Sequence, residues 1–483
     1  MKNKLFLSSL FLACLLTGCT DEWKSEADGT MVTVNIAVGG MNVTRATVDD
    51  TESEAKITTL DVYLVETTSK DVTKLASGTG PGTFNWKSAY SQAEMTLPST
   101  GDEWLLYAVA NCPSDLTLST TSYEAFMGAY TAATPASLWA DNSFLMVNSQ
   151  RDLTSSSTNK GGILLKKTDK TLSLTVERVA AKIVPSLDED IVYKPVGLIL
   201  DGKDGIQKIS QMEVQEVALI GCANQFNLIQ QWKDGTLTGE KMLVSPSSST
   251  SYNISTGYYN RVGTDVLTYK SMGSSLYCLE NNSPYYTTLG GTNPDATADT
   301  KMKGRVTGLL FRARAVLVDG VSTTEDLNSK KGPYGWYVDP TSAPGTRSLT
   351  LGDGEAYKTF YGYKGNYYAD SETLKAAYSE LSTCSSTSDF RTAGVSVYED
   401  GYVYYTYFIK DANYTDNGEP FFNVTRNTQY NVVVTEVTGL GDDVPGGNWA
   451  ATDPITVNGP LMTAKLTVSD WTVKDPYHHT LTE

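Results

Sequence analysis

Two residues near the amino terminus have surroundings that predict covalent processing. Cys19 follows Leu16-Thr17-Gly18 at the end of a short apolar segment, residues 5–16, which begins after Lys2 and Lys4. This order is typical of a bacterial lipoprotein signal. The apolar segment has about a dozen residues, and a membrane-spanning helix needs roughly 20, so it predicts a removable signal. We expect residues 1–18 to be removed and acyl chains such as palmitate to anchor Cys19 at a membrane surface.

The second residue is Arg45. It lies in the polar, proline-free segment 41–46 and is followed by Ala46, so a trypsin-like protease has a plausible bond to cut between the two. Cleavage there would separate residues 19–45 from the rest of the chain. The alternative is that Arg45 is an ordinary solvated residue.

A regular strand lies between these two residues. Residues 31–38 alternate, with apolar side chains on one face at Val32, Val34, Ile36 and Val38. This period of two predicts a half-buried strand. At about 1.5 to 3 kcal/mol for each buried side chain, the four residues would contribute about 6 to 12 kcal/mol, too much for their groove to stay empty in water.

The last strand of the chain has the same period. Ala464, Leu466 and Val468 share one face, and the Gly/Pro/Asp-containing stretch 439–460 before them predicts a flexible approach. Trp471 interrupts the alternation beside Asp470, which predicts a bulge or bend before Val473. The pattern alone leaves open whether this strand pairs within its own domain.

Composition excludes several classes of function. Removing residues 1–18 takes away two lysines and no acidic residue, so the formal net charge changes from −17 to −19 and nucleic-acid binding is disfavoured. The only histidines are His478 and His479, poor candidates for a catalytic base in a cleft. The sequence therefore predicts no enzyme, metal or cofactor. Four further cysteines are widely spaced, and their disulfide state stays open: Cys112, Cys222, Cys278 and Cys384.

Strand patterns separated by turn signals continue along the whole chain, which predicts an all-β fold with long loops and few short helices. The clearest core strands are residues 56–65, 104–111 and 172–185. One convincing helix, residues 371–377, begins after a capping Asp370 or Ser371. We place a domain boundary between residues 172 and 173.

Taken in order, these features resemble the Bacteroidales fimbrillins, the FimA/Mfa-type shaft subunits of type V pili, most closely the major subunit of the short (minor) fimbriae. Beyond the signal, the alternating strand and Thr44-Arg45-Ala46, the resemblance is carried by residues 106–111, 177–183, 280–282, 426–430 and 464–473. It extends over the whole chain but is loose between residues 225 and 277.

The resemblance implies two transthyretin-like β-sandwich domains, residues 46–172 and 173–483, after a lipidated propeptide, residues 19–45. It also implies that an arginine-specific protease cuts at Arg45-Ala46 and removes the first strand, and that a donor strand within residues 463–483 of a neighbouring copy replaces it. The implied donor residues are Ala464, Leu466, Val468, Trp471 and Val473. The partners would be further copies, anchor and tip subunits, and the membrane before processing. The precursor would be an outer-membrane lipoprotein and the product a surface fimbrium that supports adhesion and biofilm formation.

Three alternatives remain at this stage. A fimbrial tip or accessory adhesin needs no donor strand, so the regular ending at Leu466 and Val468 favours a shaft subunit. A surface glycan-binding lipoprotein would use tyrosine pairs such as Tyr285-Tyr286 and Tyr367-Tyr368 to stack on sugars. A lipoprotein hydrolase is weakened by the lack of a suitably placed histidine.

Overall fold

A computed structural model describes residues 31–38, 52–88, 91–132, 134–149, 160–193, 196–198, 208–234, 241–292, 300–319, 358–416, 419–447, 449–455 and 461–471. The chain is mostly strand with a few short helices, so the prediction of an all-β fold is confirmed. The predicted processing residues Cys19, Arg45 and Ala46, and the predicted donor residue Val473, lie outside the described residues.

The first part of the chain builds one large sheet. Its strands are β1 (Met31–Val38), β2 (Leu60–Glu66), β3 (Val72–Lys74), β4 (Ala76–Ser77), β5 (Thr83–Lys87), β6 (Gln92–Thr96), β7 (Glu103–Ala110), β8 (Ala129–Thr131), β9 (Met146–Asn148), β10 (Ile163–Lys166) and β11 (Thr171–Arg178). All of these except β8 belong to a ten-stranded sheet of order β3-β2-β7-β9-β11-β1-β6-β5-β4, with β10 beside β7. The alternating side chains of β7 are buried on both faces, so the sheet separates two apolar clusters.

The two clusters have different partners. The inner cluster, on one face of the sheet, contains the apolar side chains of β1 together with side chains from the other strands of the sheet. The outer one is covered by helix α1 (Tyr123–Phe126), by the connection after it, and by residues 226–229 from the second part of the chain. The second part therefore helps to bury the first sheet.

The second part begins with a long strand and continues to the last described residues. Its strands are β12 (Ala180–Tyr193), β13 (Val196–Leu198), β14 (Lys208–Ile220), β15 (Cys222–Ala223), β16 (Gln225–Asn227), β17 (Gln231–Asp234), β18 (Lys241–Val244), β19 (Tyr258–Tyr259), β20 (Lys270–Ser271), β21 (Leu276–Leu279), β22 (Asn281–Asn282), β23 (Gly308–Asp319), β24 (Phe360–Tyr363), β25 (Asn366–Tyr368), β26 (Ser396–Tyr398), β27 (Tyr402–Phe408), β28 (Asp411–Asp416), β29 (Glu419–Phe421), β30 (Asn423–Val424), β31 (Thr428–Val437) and β32 (Met462–Asp470).

Two sheets of this part face each other across a core. One has the order β21-β12-β31-β32, and the other has the order β13-β14-β23-β27 with β20 beside β14. Apolar side chains from both sheets, among them Ile183, Phe311 and Val432, form one buried cluster between them. This arrangement is a β-sandwich.

A small lobe carries the other α-helices of the described residues. Helix α2 (Ser371–Ala377) begins after Asp370, whose carboxylate accepts a hydrogen bond from the Thr373 amide at 2.8 Å, and helix α3 (Thr387–Thr392) begins after Ser386. Both pack on the three strands β24, β25 and β26 around Leu374 and Phe390. Short 3-10 helices occur elsewhere, of which Glu52–Ala55 matters below.

The chain changes sheets at Val179. β11 ends at Arg178 in the first sheet, and β12 begins at Ala180 in the second sandwich. The boundary predicted between residues 172 and 173 falls inside β11, because the apolar alternation runs through both strands without a turn signal to separate them.

Candidate functional site

The predicted removable strand lies in the middle of the first sheet. β1 pairs in parallel with β11 on one side and antiparallel with β6 on the other. The register matches apolar residues with apolar residues: Val34 with Leu172, Ile36 with Leu174, and Val38 with Val176 across β11, and Val32 with Met95 and Val34 with Ala93 across β6. Both backbone edges of β1 are therefore hydrogen bonded.

Burial of β1 follows the predicted alternation. Val32, Val34 and Ile36 are at most 5% exposed, and Val38 is half-buried against the same inner cluster. The three fully buried side chains contribute roughly 5 to 9 kcal/mol. Loss of β1 would expose this apolar trough together with the unpaired backbone edges of β6 and β11.

The chain that follows the predicted cleavage bond is fastened elsewhere. Glu54, in the 3-10 helix Glu52–Ala55, is 3% exposed, and its carboxylate accepts hydrogen bonds from the Lys182 ammonium at 2.9 and 2.8 Å. The Glu54 carbonyl accepts another from Arg178 Nε at 2.9 Å. This anchor belongs to the part of the chain that would remain after a cut at Arg45.

The C-terminal strand occupies a very different position. Among the strands that the structure describes, β32 pairs with β31 alone, in antiparallel orientation, at the end of its four-stranded sheet. Ala464, Leu466 and Val468 lie opposite Val434, Val432 and Tyr430 and are half-buried against the second core. In the single chain, β32 is thus an edge strand with one backbone edge paired within its own domain.

The two strands therefore present the same apolar period in unequal surroundings. β1 has two neighbours and nearly complete burial, whereas β32 has one neighbour and partial burial. A strand that left the edge of one sheet for a central groove would gain backbone pairing and apolar burial. The geometry is compatible with replacement of β1 by a strand of the β32 type.

Trp471 ends the last described segment, and its ring is completely buried. The ring stacks on Tyr277, with centroids 5.7 Å apart, and contacts Phe144 edge to face at 5.2 Å. The guanidinium carbon of Arg178 lies 4.3 Å from the Trp471 ring centroid, which is cation–π distance. The Trp471 indole Nε1 donates to Glu54 Oε2 at 3.1 Å.

The same cluster is completed by the backbone. The Trp471 carbonyl accepts from Arg178 Nη1 at 2.9 Å, and Asn427 Oδ1 accepts from the same nitrogen at 3.1 Å. Asn427 has φ +51°, a left-handed conformation that asparagine adopts more readily than most residues. We call Glu54, Arg178, Lys182, Asn427 and Trp471 the junction cluster.

Sequence reasoning found only part of this cluster. It named Trp471 as an implied donor residue and included Arg178, Lys182 and Asn427 in segments that carry the resemblance, but it missed Glu54 and the contacts among the five residues. Glu54 had no local signal, since its partner Lys182 lies 128 residues away. A buried acid was nevertheless implied, because two cations within a strand that is otherwise apolar need a counter-charge.

A second buried ion pair lies next to the junction cluster. Arg426 and Glu280 are both 0% exposed and meet through two hydrogen bonds, Nε to Oε2 at 2.9 Å and Nη2 to Oε1 at 2.7 Å. Arg426 Nη1 also donates to the Leu228 carbonyl at 3.0 Å, in the segment that covers the first sheet. Consecutive residues 426 and 427 thus bind both parts of the chain.

The tyrosine pairs considered for sugar stacking are not open platforms. Tyr368 is 2% exposed and Tyr367 is half-buried against the second core. The Lys301 ammonium lies 5.6 Å from the ring centroid of half-buried Tyr285. Neither pair presents two free ring faces, which weakens the glycan-binding alternative.

Metal sites and membrane-spanning helices can be assessed for the described residues. Among them, no group of three or more His, Cys, Asp or Glu side chains is arranged to hold a metal ion. No helix within these ranges is both long and apolar enough to cross a membrane.

One comparison with known protein families gives a match in the C-terminal part of the chain. Residues 396–476, which include β31, β32 and Trp471, match the family model for the fimbrillin C-terminal region, described as a major fimbrial subunit protein type IV. No curated protein matches the sequence.

Similar solved structures come from Bacteroidales. A candidate cell adhesion protein from Parabacteroides distasonis is 11% identical with a TM-score of 0.42, covering 92% of this chain and 98% of its own. One from Bacteroides eggerthii is 13% identical with a TM-score of 0.39, covering 93% and 99%. The tip fimbrial protein Mfa3 from Porphyromonas gingivalis is 12% identical with a TM-score of 0.29, covering 91% and 100%.

Proposed function

We propose that this chain is the shaft subunit of a cell-surface fimbria and polymerises by exchanging a strand between copies after proteolysis. The observation that carries the proposal is the position of β1, a central strand at the start of the described chain whose two neighbours pair with it and not with each other. Its loss creates a groove with the length and apolar period of one strand.

The triggering step is a cut between Arg45 and Ala46 by an arginine-specific protease. The released part, residues 19–45, is held through β1 pairing, whereas the remaining part is anchored by Glu54 in the junction cluster. The groove then accepts an extended segment from residues 463–483 of a neighbouring copy. The acceptor regains the backbone pairing and apolar burial that it lost with β1.

The precursor reaches the surface as a lipoprotein. Acyl chains on Cys19 hold it at the outer membrane, and cleavage at Arg45 separates the subunit from that anchor so that it enters the fimbrium. Its partners are other copies, an anchor subunit and a tip subunit, and the fimbrium supports adhesion and biofilm formation. The role is structural rather than enzymatic.

A shaft role is favoured over a tip role by two observations. The family model that matches residues 396–476 describes a major fimbrial subunit. The C-terminal strand β32 also lies at the edge of its sheet among the described strands, paired with β31 alone, and its donation withdraws Trp471 from the junction cluster.

Cleavage of the purified precursor, followed by electron microscopy, tests the proposal. Wild-type precursor treated with an arginine-specific protease should begin at Ala46 and form filaments. Arg45→Lys keeps the positive charge but denies the arginine-specific enzyme its site, so this variant should stay monomeric. A lysine-specific protease should then restore its filaments. Filaments from subunits that still begin at Cys19, or wild-type protein that is cut after Arg45 and remains monomeric, would contradict the proposal.

A further inference from the structure

Two cysteines of the second sandwich lie in one buried cluster. Cys222 is in β15, directly after the long strand β14 of one sheet, and Cys278 is in β21 at the end of the other sheet. β15 packs against β21, and both side chains are 0% exposed within the same core. The remaining two cysteines lie in other places: Cys112 contacts the outer cluster of the first sheet, and Cys384 is in the small lobe.

The backbone holds the two segments against each other. Gly221 precedes Cys222 with φ +61°, and a Cβ there would come within 2.3 Å of the Val306 carbonyl oxygen, so glycine is required. The Gly221 carbonyl accepts hydrogen bonds from Asn281 Nδ2 at 3.3 Å and from Thr307 Oγ1 at 3.1 Å. Asn281 is three residues after Cys278. The residue before Cys222 and a residue three positions after Cys278 are therefore hydrogen bonded to each other.

Both thiols lie inside this core, where the Cys222 thiol donates a hydrogen bond to the Ile220 carbonyl at 3.8 Å. A hydrogen bond with Cys222 and then burial raise the pKa of the Cys278 thiol well above its ordinary value. Burial, followed by the charges of Cys222 and Cys278, raises the pKa of Tyr259 well above its ordinary value. Tyr259 lies opposite Cys222 in the β15–β19 pair.

We propose that Cys222 and Cys278 form a disulfide bond that links the two sheets of the second sandwich in the exported protein. Two Sγ–H bonds break and one Sγ–Sγ bond forms. The two electrons and two protons pass to the disulfide of an extracytoplasmic thiol oxidant, which is reduced to a dithiol. This inference rests on the export required by the proposed function.

The order of events follows from burial. Thiol–disulfide exchange needs an accessible thiolate, and both thiols are inaccessible to solvent once the core is closed. Oxidation must therefore precede the closing of the two sheets. The bond would then close a loop between β15 and β21 in the unfolded chain. Because this lowers the conformational entropy of the unfolded state, it favours the folded subunit.

Differential alkylation of the full-length protein tests the bond. Protein purified from the cell envelope is denatured and treated with N-ethylmaleimide, with and without prior reduction, and its peptides are identified by mass spectrometry. Without reductant, only Cys112 and Cys384 should be labelled, and reduction should expose Cys222 and Cys278. Cys222→Ala should leave Cys278 labelled without reductant, whereas the control Cys112→Ala should leave the pair protected.

A second arm separates this inference from export. The unlipidated protein made in the cytoplasm is denatured, reduced and refolded in glutathione redox buffer, then alkylated in the same way. Protection of Cys222 and Cys278 supports the pair even if envelope targeting fails. Free labelling of both cysteines after refolding, or in envelope protein that begins at Cys19 or Ala46, would overturn the disulfide.

Discussion

The indole Nε1 of Trp471 donates a hydrogen bond to the carboxylate of Glu54 at 3.1 Å, although 417 residues separate them in sequence. Glu54 belongs to the segment that follows the predicted cleavage bond, and Trp471 directly follows the C-terminal strand β32. Arg178 and Lys182 lie where the chain passes from the first sheet to the second sandwich, and both contact Glu54 and Trp471. The junction cluster therefore joins the early segment at Glu54 and the C-terminal segment at Trp471 to this passage between the sheets. These hydrogen bonds join residues that lie outside β1.

The first prediction concerns the charge of Glu54. Glu54→Gln keeps the side-chain volume but leaves the buried Lys182 ammonium without its counter-charge, so the free energy of unfolding should fall by about 3 to 5 kcal/mol. Urea unfolding of the uncut, monomeric precursor measures this change. Glu380→Gln is the matched control, because it breaks an exposed pair with Lys364, and its midpoint should barely move. Equal shifts in the two variants would mean that the junction cluster does not hold the subunit together.

The second prediction separates backbone from side chain at Asn427. Asn427→Gly tolerates φ +51° but loses the acceptor for Arg178, whereas Asn427→Ala loses that acceptor and is also strained. The alanine variant should therefore be less stable than the glycine variant by roughly 1 to 2 kcal/mol. Thermal and urea unfolding of both proteins measure the difference. If alanine were tolerated as well as glycine, the left-handed conformation would not be an important constraint.

The local patterns of the sequence predicted strands well. β1 matches residues 31–38, and helix α2 begins after Asp370 and spans residues 371–377 as expected, because period and capping are local properties. The strand register of β1 between β6 and β11 could not be predicted, since it depends on pairing over long separations. The junction cluster was hidden for the same reason: Glu54, Asn427 and Trp471 are far apart in sequence and meet only in the fold.

The third prediction tests whether the groove of β1 can be opened without proteolysis. Val34→Asp places a carboxylate in the inner cluster, where its desolvation weakens the hold of β1. The uncut variant should take up a synthetic peptide of residues 461–483 that uncut wild-type protein excludes, measured by fluorescence anisotropy. Thr33→Asp changes the adjacent residue on the opposite face of the strand and should still exclude the peptide. Exclusion of the peptide by Val34→Asp at every concentration would show that β1 does not occupy the acceptor groove.

The final prediction separates donation of a strand from acceptance. Leu466 points toward the core side of β32, while Thr467 is exposed, so Leu466→Asp would bring an unpaired charge into a neighbour's groove and Thr467→Asp would not. After cleavage at Arg45, Leu466→Asp subunits should fail to form filaments alone, as should subunits lacking residues 463–483. Leu466→Asp subunits keep their own groove, however, because β6, β11 and the buried Trp471 are unchanged in them. Added to cleaved wild-type protein, they should accept one strand, donate none, and shorten the filaments in proportion to their fraction, whereas Thr467→Asp should leave filament length unchanged. Normal filaments from the truncated subunit would show that β32 serves only its own domain.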